Sequence, residues 1–134
     1  MGVEGHYAAW SMTAGEDLDD VTPGTGHIFK AVALDDGKLA HNGKEAGGIL
    51  IYGGKATEHV TLAYAGVIRF TAGEDIPVGV PLTVGHDGYF FIARPGDWII
   101  GRCLDSFVHV DEVGVGAFNF ASPSLYQKDT EAAG

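Results

Sequence analysis

The most regular alternation of apolar and polar positions runs from His59 to Phe70. Val60, Leu62, Tyr64, Ile68 and Phe70 fall on one face of an extended chain, and Thr61, Ala63, Ala65 and Arg69 on the other. Gly66 interrupts the apolar face and marks a bulge or a close backbone approach. Shorter apolar runs predict strands over 28–34, 48–52, 80–84, 89–94, 98–104 and 113–120, with a brief one around Val108 and Val110. Pro77, Pro81 and Pro95 stand at or near the ends of these runs, where a missing N–H is tolerated. No stretch combines 3.6 periodicity with caps at both ends; the most the chain offers is a helical turn near Ser106 to Val110.

Within this pattern a pentapeptide occurs twice, as Thr13-Ala14-Gly15-Glu16-Asp17 and Thr71-Ala72-Gly73-Glu74-Asp75. An apolar residue, a loop, a strand-like run and an Asp-Gly pair follow each copy, Asp36-Gly37 after the first and Asp87-Gly88 after the second. Asp-Gly between apolar runs predicts a hairpin, because a primed turn requires positive φ at its central residues. The shared order of elements points to internal duplication of a small β-unit. Both ends differ from the middle: residues 1–26 have few periodic apolar positions, and 122–134 are polar and small. The expected architecture is all-β, with an N-terminal arm over 1–26, a β body over 27–121 that is a barrel or sandwich, and a loose C-terminal tail over 122–134.

Composition narrows the picture. Twenty-one glycines in 134 residues, without a collagen period, fit many tight turns in a single domain that needs no disulfide. The lone cysteine, Cys103, sits in an apolar run and reads as a small buried hydrophobe. A net charge of −10 argues against phosphate-backbone contacts, so no nucleic-acid partner is expected. No apolar window approaches the ~20 residues of a membrane span, and the N-terminus has no signal-peptide pattern, so no membrane partner is expected.

Candidate chemistry is sparse. His6, His27, His41, His59, His86 and His109 are scattered without metal-ligand spacing, and only His109-Val110-Asp111 puts an imidazole and a carboxylate on one face of an extended segment. Glu16, Asp17, Asp19 and Asp20 lack the register of a calcium loop. Gly24-Thr25-Gly26 is followed by no Lys-Ser/Thr, and no nucleophile elbow is present. No catalytic residue, metal or cofactor is therefore expected. The aromatic residues of the arm are harder to set aside: Tyr7 and Trp10, with His6 and Met12, either fold back on the body or dock on a partner. Phe90 and Phe91 are adjacent, so in a strand one of them faces away from the core and is a candidate for an oligomer interface.

The order of Thr13 to Asp17, Ala33-Leu34-Asp35-Asp36-Gly37-Lys38-Leu39-Ala40, Ala46 to Leu50, Val60 to Gly66, Ala72 to Gly79, Gly85 to Gly88 and Pro95 to Leu104 resembles the capsid decoration, or cement, proteins of tailed bacteriophages. The resemblance spans roughly residues 13–120 and rests on glycines and small apolar residues. It implies a β-tulip or β-clip-like body, frequent homotrimers at threefold positions, no enzymatic activity, and a place on the outer surface of the virion bound to the major capsid protein. On that basis the arm is expected to carry much of the capsid contact, adding as a strand to a sheet edge on the shell. A small trimeric β-fold enzyme, such as a nucleotide hydrolase, and a ligand-binding β module stand as alternatives.

Overall fold

A computed structural model describes residues 7–41 and 45–126. Twelve strands follow one another: β1 (Tyr7–Thr13), β2 (Ala31–Ala33), β3 (Ala46–Tyr52), β4 (His59–Thr71), β5 (Ile76–Pro77), β6 (Pro81–Val84), β7 (Phe90–Ile92), β8 (Trp98–Ile99), β9 (Gly101–Cys103), β10 (Phe107–Val108), β11 (Val113–Asn119) and β12 (Ser124–Leu125). Eight of them form one antiparallel, nearly closed sheet with β4 at its centre, so the molecule is all-β and barrel-like. The helical turn predicted near Ser106 to Val110 is absent. That segment holds β10 and a turn, and the described residues contain one short 3₁₀ turn, at His86–Gly88.

Among the described residues β4 has three partners. β1 pairs with it from Thr13↔His59 to Tyr7↔Gly66, β3 over residues 61–63, and β11 over residues 65–71. β1 shares Ala63 with β3 and Ala65 with β11, so β3 and β11 lie end to end on the same edge of β4, opposite β1. The sheet therefore forks at Tyr64. One branch continues through β3 to β2, the other through β11, β9 and β6 to β7.

Tyr64 is also where the register with β1 slips, since Ala8 pairs with Ala65 and Ala9 with Ala63. An extra residue reverses which face the following side chains occupy. The single apolar face read from His59 to Phe70 is accordingly two faces. Val60 and Leu62 pack with Leu18, Val32 and Leu50, whereas Ala63, Ile68 and Phe70 join the main core on the other side. That core centres on Phe70, Phe90, Phe118 and Phe120, with edge-to-face ring separations of 5.3 Å between Phe90 and Phe118 and 5.7 Å between Phe70 and Phe90.

The ends of the chain differ from expectation. From Tyr7 to Thr13 the segment read as an N-terminal arm, either folded back or docked on a partner, is a strand paired with β4, with Ala14 and Leu18 buried behind it; His6 lies outside the described residues. The segment was hard to recognise because its strand faces are mostly exposed, with only Tyr7 and Met12 partly covered by the core clusters. At the other end, Ser124–Leu125 pairs with Trp98–Ile99, and residues 127–134 of the expected tail lie outside the described residues.

The two pentapeptides adopt the same local structure, and each closes a hairpin. In the first, the Gly15 N–H donates to the Gly37 carbonyl (2.9 Å), and Glu16 Oε2 accepts the Leu39 N–H (2.9 Å). In the second, Gly73 N–H donates to the Phe90 carbonyl (2.7 Å), and Glu74 Oε2 accepts the Ile92 N–H (2.8 Å). Asp17 and Asp75 accept the N–H groups of Ala56 and Val110 (2.9 and 3.0 Å). The turns receiving those aspartates match as well. Ala14 and Ala72 exchange backbone bonds with Thr57–Glu58 and Asp111–Glu112, Thr57 and Asp111 take positive φ (74° and 69°), and Glu58 and Glu112 each cap an N–H three residues back. Leu18, after the first copy, bridges to Gly54; Ile76, after the second, pairs with Val108. β4 ends the first of these units and begins the second.

The Asp-Gly pairs differ. Asp87 and Gly88 both have positive φ (49° and 76°), and the Tyr89 N–H closes the turn on the His86 carbonyl, as a primed turn requires. After Leu34 the chain takes a longer turn in which Gly37 alone is left-handed (φ 71°).

Candidate functional site: a cleft at the fork of the sheet

The fork at Tyr64 leaves a gap between the two branches. Ala46 begins β3 on one side, Phe120 follows β11 on the other, and the two line adjoining cavities of about 480 and 680 Å³. Glu45, Ala46 and Phe120 belong to both, so the cavities form one continuous cleft. Trp10 and Leu34 stand at one end, and Phe91 and Trp98 at the other. The floor is apolar, from Ile92, Ile100 and Phe120; the rim is polar, from Glu45, Arg94, Asp97 and His86.

Each aromatic wall is held by its element. Trp10 projects from β1 and donates its indole N–H to the Gly47 carbonyl of β3 (3.1 Å), which fixes the ring while leaving 37% of the residue exposed. Phe91 lies over Gly73 and Gly85, where any Cβ would collide with its ring, and 5.3 Å from the His86 ring. Trp98 follows the turn at Gly96 and stays 56% exposed although β12 pairs alongside. An indole left this open beside a cavity is available surface.

The rim carries a fixed ion pair. Arg94 reaches both Glu74 oxygens (3.2 and 3.3 Å), and Glu74 also accepts the Ile92 N–H. Burial acts to raise the Glu74 carboxyl, but the Arg94 and Ile92 bonds outweigh it and hold the group below its ordinary value. Asp97 accepts the Arg94 backbone N–H (2.9 Å), which shapes the turn leading to Trp98.

The residues singled out from sequence divide between cleft and core. Trp10 and Phe91 line the cleft, whereas Phe90 is wholly buried and Tyr7 and Met12 pack against the body. Glu45 and Arg94 were not singled out, and no motif in the sequence marks them; Trp98 stands beside the Pro95-Gly96-Asp97 turn and is one of the large aromatics, with Tyr89, Phe90 and Phe91, that exceed what one body easily hides. His109 and Asp111 lie in a turn rather than a strand, and the His109 imidazole meets the Phe107 ring edge to face and lies 3.8 Å from Asp75. The acidic cluster is dispersed: Glu16 and Asp17 cap backbone N–H groups of separate segments, Asp19 pairs with Lys55 (2.9 Å), and Asp20 caps Thr22. The Lys55 bond holds the Asp19 carboxyl low, and the Thr22 N–H does the same for Asp20. Cys103 is buried, and burial pushes its thiol up. Among the described residues no three His, Cys, Asp or Glu side chains gather to hold a metal, and no helix is long and apolar enough to cross a membrane.

A second surface adjoins the Trp10 end. The pentapeptides act as latches that close the two hairpins, bonding along their outer strands, Gly15 and Glu16 on one and Gly73 and Glu74 on the other. β1 pairs only with β4 among the described residues, and its sequence Tyr-Ala-Ala-Trp-Ser-Met-Thr has neither the charge nor the proline that usually guards an edge.

Fold and cleft together define, among the described residues, an all-β, fork-sheeted module with an aromatic cleft beside the β1 edge. No family model and no curated protein matches the sequence. Among solved structures the fold is similar to the N base of head fiber gp8.5 of bacteriophage phi29, with a TM-score of 0.64 and 14% identity over 84% of this chain and 94% of that chain. At that identity the likeness speaks for the fold.

Proposed function

We propose that the protein is a structural component of a bacteriophage head, which binds the outer surface of the capsid through the major capsid protein and stabilises the expanded shell. The observation that carries this reading is the fold likeness to a phage head fiber base over 94% of that chain. The resemblance of its motif order to that of capsid decoration proteins agrees with it. The role is non-enzymatic and needs no cofactor, and the working unit is a homotrimer. A net charge of −10 suits a soluble protein that decorates a surface at high local concentration without binding the packaged nucleic acid.

The test is addition of purified protein to expanded heads that lack it. Saturable co-sedimentation with the heads, and heads that survive higher temperature once loaded, are the expected results. Heads that neither bind the protein nor gain heat resistance would overturn the reading. Native mass spectrometry checks the trimer: the expected species has three times the 14.0 kDa of the chain, and a lone monomer at micromolar concentration would count against a preformed trimer.

A further inference from the structure

We infer that the forked cleft is the shell-binding site and clamps one extended segment of the shell subunit, apolar along its middle and flanked by Lys or Arg. The inference rests on the head-protein reading above and adds to it the surface, the binding mode and the chemistry of the partner.

Shape and polarity define the segment. The cleft runs from Trp10 to Trp98 over an apolar floor, which suits a narrow extended chain that inserts alternate side chains. Two partly exposed indoles at opposite ends, Trp10 bonded to the Gly47 carbonyl and Trp98 on a strand paired with β12, are the residue type that most often anchors an interface. Trp10, already held by its indole bond, loses little conformational entropy on binding.

Charge selects the flanks. Arg94, the cation of the rim, is engaged by Glu74, which leaves Glu45 and Asp97 to set an acidic rim on a chain of net charge −10. Basic residues flanking the segment complement that rim. Two copies of this chain would instead bring acidic rims together, which disfavours a second copy as occupant. The chain's own residues 127–134, Gln-Lys-Asp-Thr-Glu-Ala-Ala-Gly, offer no apolar side chain larger than alanine to fill the floor.

The experiment measures binding isotherms of the full chain to expanded heads lacking it, for the wild type, Trp98→Ala, Glu45→Lys and the control Tyr52→Ala. Tyr52 is 67% exposed and does not line the cleft, and all three substituted side chains are at the surface, so thermal melts should match the wild type. The expected result is that Trp98→Ala and Glu45→Lys each weaken binding about tenfold or more while Tyr52→Ala leaves it unchanged. Raised salt should weaken the wild type more than Glu45→Lys. Wild type and both cleft variants binding alike would overturn the clamp and leave the head-protein reading standing. Wild type failing to bind heads would overturn both. A change of native mass in the cleft variants, with head binding intact, would assign the cleft to contacts between copies and overturn the clamp.

Discussion

Glu74 holds three donors, the Ile92 N–H and both terminal nitrogens of Arg94, where its counterpart Glu16 holds the Leu39 N–H. Removing the acceptor strands a part-buried N–H, so Glu74→Ala should lower stability by about 1–3 kcal/mol, and by more than Glu16→Ala. The same carboxylate gives a pH dependence of known sign. Its folded value lies below the unfolded one, so its contribution is complete above the ordinary carboxylate range and is lost as pH falls through the lowered folded value. Urea midpoints measured at falling pH should therefore drop more steeply for the wild type than for Glu74→Gln; parallel curves would show that Glu74 is not the titrating support. In the core, Phe90 contacts Phe70, Phe118 and Phe120, and Phe90→Ala should cost roughly 3–5 kcal/mol, read from the same denaturation curves.

At the scale of elements, the hairpin after Gly85 depends on Gly88, whose φ of 76° and close approach to the Ala31 backbone leave no room for a Cβ. Gly88→Ala should destabilise by about 1 kcal/mol or more, and the thermal midpoint reports it. Removing residues 7–13 strips one edge of β4 of its partner β1 along 59–66 and removes Met12 from the cluster that holds Val60 and Leu62. That truncation should lower the thermal midpoint by several degrees; a midpoint equal to that of the full chain would mean β1 contributes no stability.

These elements also explain what was legible in the chain. The hairpin turn at Asp87-Gly88 was visible because a primed turn needs residues that accept positive φ. The first halves of the two latches were visible because Thr-Ala-Gly-Glu-Asp is repeated letter for letter. Their second halves were not, since Lys55-Ala56-Thr57-Glu58 and His109-Val110-Asp111-Glu112 share one identical residue, the capping Glu. The face switch at Tyr64 was marked only by Gly66 two residues on, which pointed to an irregularity but not to the change of face, because a bulge does not disturb alternation along the sequence, only its meaning. The cleft was hidden for the same reason. It exists because β3 and β11 part company on one edge of β4, and Glu45, Phe91 and Trp98 meet around it from separate strands and loops.

For the whole molecule, each of the two similar units ends in the strand that pairs with its first, and the shared β4 makes them one body. Among the described residues the arrangement places a cleft at the junction with the β1 edge beside it, which suits the proposed role of binding a larger surface. The most direct test of that role is the heat resistance of expanded heads lacking this protein, measured with and without the purified chain. The account predicts a saturable rise in the temperature at which the heads break, reached at a fixed ratio of chain to shell subunit. Heads that break at the same temperature at every ratio would contradict it.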